Sequence, residues 1–244
     1  MKTLSIGLVC GVLLFSAAGA LAGTAPAAGK EGNAAMESLL DKARWLGHDG
    51  FLFHAGAKVV VFDPFKVQAG QPADLVLVTH DHFDHCSPED VAKFVGKGTV
   101  VLAPADCKAK LAKVATDVRA IAPGETATVN GITVKAVPAY NTNKAFHPKA
   151  KGNVGYVADL DGVTVYHAGD TDLIPEMEGL APDIALLPVS GTYVMTWQEA
   201  VEAARKIRPK AAVPMHFGGI VGTAEDAQNF EKALSGEMRV KVFK

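Results

Sequence analysis

The sequence predicts a single layered α/β domain over residues 36–244. Three observations predict it. Short apolar runs alternate with turn signals, a few helical patterns are interspersed among them, and no low-complexity segment, tandem repeat or interdomain linker divides the chain. Strands and helices mixed in this way pack as layers, because each element has an apolar face to bury. The composition agrees: the 244 residues are 49% hydrophobic and 20% charged, enough for a sizeable core without disulfide staples.

The elements follow in order. Phe51 to His54 and Lys58 to Phe62 read as paired strands around Ala55-Gly56-Ala57, with Asp63-Pro64 ending the second. Leu75 to Val78 is fully apolar, as expected of a strand buried on both faces. Ser87-Pro88-Glu89-Asp90 reads as a helix start, with a capping serine, a proline at the first position and acids in the first turn. Thr99 to Leu102 is the next strand, and Ala105 to Val114 the next helix. Thr126 to Val129 and Ile132 to Val137 form a hairpin about Asn130-Gly131, since asparagine and glycine tolerate the positive φ of a tight turn. Val154 to Leu160 and Val163 to His167 form another about Asp161-Gly162. Strands at Ile184 to Leu187 and Ala211 to Val213 alternate with helices at Trp197 to Ile207, stopped by Pro209, and Ala224 to Leu234.

The N-terminus reads differently. Lys2, the apolar run Leu4 to Phe15 and the small-x-small pattern Ala20-Leu21-Ala22 are those of a signal peptide over residues 1–22, with an uncleaved anchor as the alternative. Residues 23–35, rich in Ala and Gly, read as a flexible leader. The expected location is periplasmic or secreted, with no stable membrane insertion after cleavage. Such a chain keeps Cys86 and Cys107, either as one disulfide or as two separate thiols. The formal net charge is −2 and no basic stripe is visible, which argues against a nucleic-acid partner and for a small-molecule substrate. The oligomeric state stays open.

The chemistry is concentrated in one segment. The apolar strand ending at Val78 runs into Thr79-His80-Asp81-His82-Phe83-Asp84-His85-Cys86, which holds three histidines and two aspartates within six residues. Imidazole and carboxylate are the usual ligands of zinc and similar divalent ions. A strand fixes one end of this loop and the capped helix at Ser87 the other, so the side chains sit between rigid elements, as metal geometry demands.

His80-x-His82-x-Asp84-His85 after an apolar strand resembles the core motif of the metallo-β-lactamase superfamily. Tyr166-His167-Ala168-Gly169-Asp170-Thr171 resembles its Gly-Asp motif, and Pro214-Met215-His216-Phe217-Gly218 its last metal histidine. Trp45-Leu46-Gly47-His48 and Asp63-Pro64-Phe65 are similar to the branch of small metal-dependent hydrolases related to ascorbate-phosphate lactonases and N-acyl-phosphatidylethanolamine phospholipases. The resemblance implies a four-layer αββα sandwich and two divalent ions, zinc first, with manganese or iron as alternatives. It implies that His80 and His82 bind the first ion, that Asp84, His85 and His216 bind the second, and that Asp170 bridges them. Two adjacent ions share a hydroxide, lower its pKa and stabilise charge on the substrate, so the expected reaction is hydrolysis of an ester, lactone, amide or phosphodiester by that bridging hydroxide. An iron-dependent sulfur dioxygenase and a non-catalytic periplasmic metal or ligand binder are the alternatives.

One ligand departs from the pattern. After Val137-Pro138-Ala139, where the resemblance implies a third histidine for the first ion, stands Tyr140-Asn141-Thr142-Asn143. His147, in Lys144-Ala145-Phe146-His147-Pro148-Lys149, is the candidate, on a longer loop; the other reading is a surface histidine before a proline. Asp84 or His167 is the expected proton shuttle, although His167 fits ordinary strand packing equally well. Tyr193 is the candidate donor to a developing oxyanion. His48 lines the site or packs nearby, Asp63 orients a ligand histidine or ends a strand, and Lys144 and Lys149 attract an anionic substrate or are solvated.

Overall fold

In the computed structural model, Met1 and residues 28–244 are described, with side chains from residue 32. The proposed signal peptide therefore falls outside the described residues, Met1 aside. The first six strands, β1 (Arg44–Gly47), β2 (Gly50–Ala55), β3 (Lys58–Phe62), β4 (Leu75–Leu77), β5 (Val100–Ala103) and β6 (Val118–Ala120), form one sheet in sequential order. A seven-stranded sheet contains β7 (Thr126–Val129), β8 (Ile132–Pro138), β9 (Val154–Leu160), β10 (Val163–His167), β11 (Ile184–Pro188), β12 (Ala211–Met215) and β13 (Arg239–Val240). Each sheet opens with antiparallel pairs and closes with parallel ones: β3 to β6 in the first, β10 to β13 in the second.

Alternation along the strands builds the layers. On β2, β3 and β4, Phe51, Phe53, Val60, Phe62, Leu75 and Leu77 join the core between the sheets. Their neighbours Leu52, Val59, Val61 and Val76 join a second core beneath the helices α2 (Pro88–Ala92) and α3 (Ala105–Leu111). Successive side chains point to opposite faces of a strand, so a run apolar at every position is buried on both. Helices α4 (Trp197–Ile207) and α5 (Ala224–Ala233) cover β11 and β12 on the other side, completing the four-layer αββα sandwich. The turn Asn130-Gly131 has φ of 51° and 81°, and Asp161-Gly162 has 59° and 82°, the left-handed pairs that tight hairpins require.

Several details differ from the sequence reading. The leader expected over residues 23–35 is helical from Ala28, in α1 (Ala28–Lys42); Met36, Leu39 and Leu40 recur at helical spacing and bury against the sheets. The short strands β1, β6 and β13 carry too little apolar periodicity to be read locally and are fixed by pairing at sheet edges. Helix α3 stops at Leu111, short of Val114. No helix among the described residues is long and apolar enough to cross a membrane.

The helix start at Ser87 is as expected, and its third residue ties the helix to the segment after β3. Asp90 accepts hydrogen bonds from the backbone N–H groups of Lys66 (2.9 Å) and Val67 (3.1 Å), from Ser87 Oγ (2.8 Å) and from Lys93 Nζ (2.9 Å). Burial pushes this carboxyl up, but Lys93, Ser87 and the Lys66 N–H outweigh it and hold the pKa below the usual range. A depressed folded-state pKa adds stability that is present above the unfolded value and lost as pH falls through the folded one. Asp90→Ala is expected to cost about 2 kcal/mol at neutral pH and to remove part of the acid sensitivity below about pH 4, read by urea unfolding across pH.

Candidate metal centre

The functional side chains gather where the carboxyl ends of β3, β4, β8, β10 and β12 meet the turn between β1 and β2. The sheets touch here: Val154 N–H donates to Thr79 C=O (3.1 Å), and Gly169, at φ 62°, brings its backbone so close that a Cβ would lie 3.1 Å from that of Thr79. Glycine before Asp170 is thus required by both conformation and space. Among the described non-glycine residues, nine have positive φ, and four of these are His48, Asp63, His147 and His216. Backbone strain is concentrated at the site, where the surrounding structure must hold it.

Two clusters result. His80 Nε2 and His147 Nε2 each lie 3.0 Å from His82 Nδ1. Asp84, His85, His216 and His48 form the second cluster, with donor atoms within 4.8 Å of one another. Asp170 lies between them: its Oδ2 is 3.3 Å from His147 Nε2, 3.3 Å from His216 Nε2 and 3.9 Å from His80 Nε2, and its Oδ1 is 3.4 Å from His85 Nε2. His147 is buried in the first cluster and is no surface histidine. Its loop is folded back by Asn141 N–H on His147 C=O (2.9 Å), by Asn141 Nδ2 on Tyr193 C=O (2.7 Å) and by Thr142 N–H on Asp172 (2.8 Å).

The outer nitrogens set the tautomers. Asp63 accepts from Thr79 N–H (2.8 Å), Thr79 Oγ1 (2.6 Å) and His85 Nδ1 (2.8 Å). Since the Thr79 hydroxyl proton goes to Asp63, its oxygen accepts from His80 Nδ1 at 3.0 Å. His147 Nδ1 donates to Tyr193 C=O (3.3 Å), and His216 Nδ1 is bonded to Ser190 Oγ (2.8 Å). His80, His85 and His147 therefore turn Nε2 inward, the orientation that partners on the far ring nitrogen impose on metal-binding histidines. Buried His85 Nε2 and Asp170 Oδ1 face each other without a hydrogen bond. Unpaired buried polar atoms cost about 1–3 kcal/mol each, and a cation supplies the missing partner, so the donor set fits divalent metal.

The charges are linked through Asp170. Burial lowers His85, but Asp170, with Asp63 and Asp49, outweighs it and carries the ring well above its ordinary value. Burial opposes ionisation of Asp170, yet His216, His85 and His80 hold it well below the usual carboxylate range. Burial lowers His216, but Asp170 and Asp49 overcome it and carry the imidazole up to about 9. Burial dominates at His80 and pushes it well below its ordinary value.

Other expected residues are sorted by position. Asp84 lines the open cleft over the clusters, with Oδ2 3.2 Å from His48 Nε2, and Tyr193 lines the same cleft. His48 is therefore at the site, its ring 4.1 Å from that of His216. His167 is not available as a shuttle: it is fully buried, stacks on Phe62 at 5.1 Å, donates from Nε2 to Asp49 C=O (2.8 Å) and accepts at Nδ1 from Gly169 N–H (3.2 Å). Both ring nitrogens are engaged away from the cleft. Lys144 is ion-paired with buried Asp172, and Lys149 with Glu176 at 2.7 Å, and neither lines the cleft. Cys86 and Cys107 are free, buried thiols; Cys107 holds the Cys86 thiol below its ordinary value, while Cys86 and burial push Cys107 up. Asp49 was not singled out in the sequence. It is fully buried with His85, Asp170 and His216, and burial pushes its carboxyl well above the ordinary range. An aspartate between His48 and Gly50 reads as a turn residue, and its adjacency to His48 is the sole local signal.

The relatives agree with this architecture. A β-lactamase superfamily domain model matches residues 42–216. The chain is 39% identical over 216 residues to a UPF0173 metal-dependent hydrolase of Thermoplasma acidophilum, covering 82% of this chain and 92% of that one. It is 37% identical over 210 residues to another from Methanoregula boonei, again covering 82% and 92%. Among solved structures it superposes on Igni18, a metallo hydrolase from Ignicoccus hospitalis, with TM-score 0.67 and 25% identity over 83% of this chain and 94% of that one. With a donor set that fits divalent metal and relatives named as hydrolases along most of its length, the chain belongs to the metallo-β-lactamase superfamily and is a metal-dependent hydrolase.

Proposed function

We propose that the protein is a binuclear hydrolase of a small-molecule substrate, exported by its first 22 residues to the periplasm or beyond. His80, His82 and His147 would hold one ion and Asp84, His85 and His216 the other, with Asp170 shared. The observation that carries this reading is the position of Asp170, whose two oxygens reach histidines of both clusters. Zinc suits the imidazole-rich set, with manganese or iron as alternatives. Such ions lower the pKa of bound water and stabilise charge developing on an ester, lactone, amide or phosphodiester. The residues do the rest. Asp63, Thr79 and Ser190 fix the histidine rings; of the residues lining the cleft, Asp84 beside His48 would take up a proton and Tyr193 would donate to a developing oxyanion.

The test is elemental analysis combined with a panel of the four bond classes. Two metal equivalents per chain are expected, with hydrolysis of at least one class lost on chelation and restored by zinc. His147→Ala is expected to keep about one equivalent and to lose activity about a hundredfold. Undiminished hydrolysis by metal-free protein, or oxygen uptake with a persulfide in place of hydrolysis, would overturn the reading.

A further inference from the structure

The surface over the metal centre bears on which bond is cleaved. Among the described residues, Met1 aside, three large hydrophobic side chains are exposed: Phe83 (68%), Phe146 (48%) and Ile220 (39%). All three line one cleft of about 380 Å³, together with His82, Asp84 and Tyr193. Exposed apolar side chains scattered singly are ordinary, but convergence on one mouth marks a ligand surface. The three come from separate loops: Phe83 lies within the metal loop, Phe146 precedes His147, and Ile220 follows His216 by four residues. Two are held by edge-on aromatic contacts, Phe83 with Phe65 (centroids 5.7 Å) and Phe146 with Tyr193 (4.7 Å). The apolar wall is therefore built by the same loops that carry the metal-facing residues.

Charge narrows the choice further. Among the described residues, no lysine or arginine lines the cleft. Lys66 lies over the Phe65 ring at 5.1 Å, and Lys144 and Lys149 are paired with Asp172 and Glu176. A substrate charge away from the reacting bond would be desolvated among Phe83, Phe146 and Ile220 with no side-chain cation to meet it.

Resting on the hydrolase reading, we infer that this cleft is an acyl pocket, and that the substrate is an uncharged carboxylic ester or lactone with an apolar acyl chain seated against Phe83, Phe146 and Ile220. In the step, the oxygen of water bonds to the acyl carbon and the bond from that carbon to the leaving oxygen breaks. One proton of the water ends on the leaving oxygen, and the carboxylic acid releases the other.

The test uses the metal-loaded full chain with 4-nitrophenyl acetate, butyrate and hexanoate. kcat/KM is expected to rise about two- to fourfold per methylene, the range set by partial to full burial. Mono-4-nitrophenyl succinate is expected to fall about tenfold below the butyrate. Phe83→Ser and Ile220→Ser should each flatten the slope toward about 1.5-fold per methylene at unchanged metal content. Calorimetry with acetohydroxamate and hexanohydroxamate reads the same preference without turnover. Turnover or binding independent of chain length, or preference for the succinate, overturns the acyl pocket and leaves the hydrolase reading standing. No hydrolysis of any ester, lactone, amide or phosphodiester overturns the hydrolase reading, and the hydroxamate affinities then decide the pocket alone.

Discussion

Asp170→Asn is expected to lower kcat/KM by at least about a thousandfold, equivalent to roughly 4 kcal/mol of lost transition-state stabilisation, and to lose one or both metal equivalents. The substitution keeps the shape of the side chain and changes its chemistry. The carboxylate is the group that touches both clusters, at 3.3 Å from His147 and His216 and 3.4 Å from His85. His216, His85 and His80 keep it ionised. An amide offers one acceptor oxygen and turns an NH2 group toward lone pairs or cations, so one cluster loses its anionic partner whichever way the amide faces. Elemental analysis and steady-state kinetics measure the effect, with circular dichroism confirming the fold. An Asn variant that keeps its metal and activity within tenfold would refute the shared-ligand role.

Asp63→Ala has the largest expected effect on stability, about 4 kcal/mol, which is most of the margin of a marginally stable domain. The carboxylate is fully buried and accepts three hydrogen bonds, from Thr79 N–H, Thr79 Oγ1 and His85 Nδ1. Removing it strands three buried donors, each at about 1–3 kcal/mol, and frees the rings of His80 and His85 at once. Asp63→Asn separates the two consequences. Its oxygen still accepts from Thr79 N–H, while its NH2 group faces both the Thr79 hydroxyl and the His85 Nδ1 proton and favours the wrong tautomer. That variant is expected to fold and to bind metal about 10- to 100-fold more weakly, read by chelator competition. Urea unfolding of the Ala variant within about 1 kcal/mol of the parent would show that the network carries little stability.

The legible part of the site was the part packed into one loop. His80, His82, Asp84 and His85 stand within six residues, so their spacing could be read without a fold. His147 was legible only as a candidate, because its place depends on a loop closed by Asn141, Asp172 and Tyr193 from three different segments. His167 stayed open between shuttle and strand packing for a related reason. A histidine at a strand end points to one of two faces, and the pairing of β10 decided for the core, against Phe62. Lys144 and Lys149 carried formal charge in the sequence, but Asp172 and Glu176 lie 28 and 27 residues away in the chain and take it up.

The α/β class, the hairpins and the metal-binding loop were readable without a fold, because apolar alternation, turn chemistry and close ligand spacing are local properties. The tertiary structure decided which nitrogen each histidine presents, which aspartate joins the two clusters and which exposed side chains form one apolar mouth. Those follow from contacts between residues far apart in the chain: strand pairing within one sheet brings Asp63 to His85, and only the packing of two sheets brings His147 to His82 and Asp170 to His85.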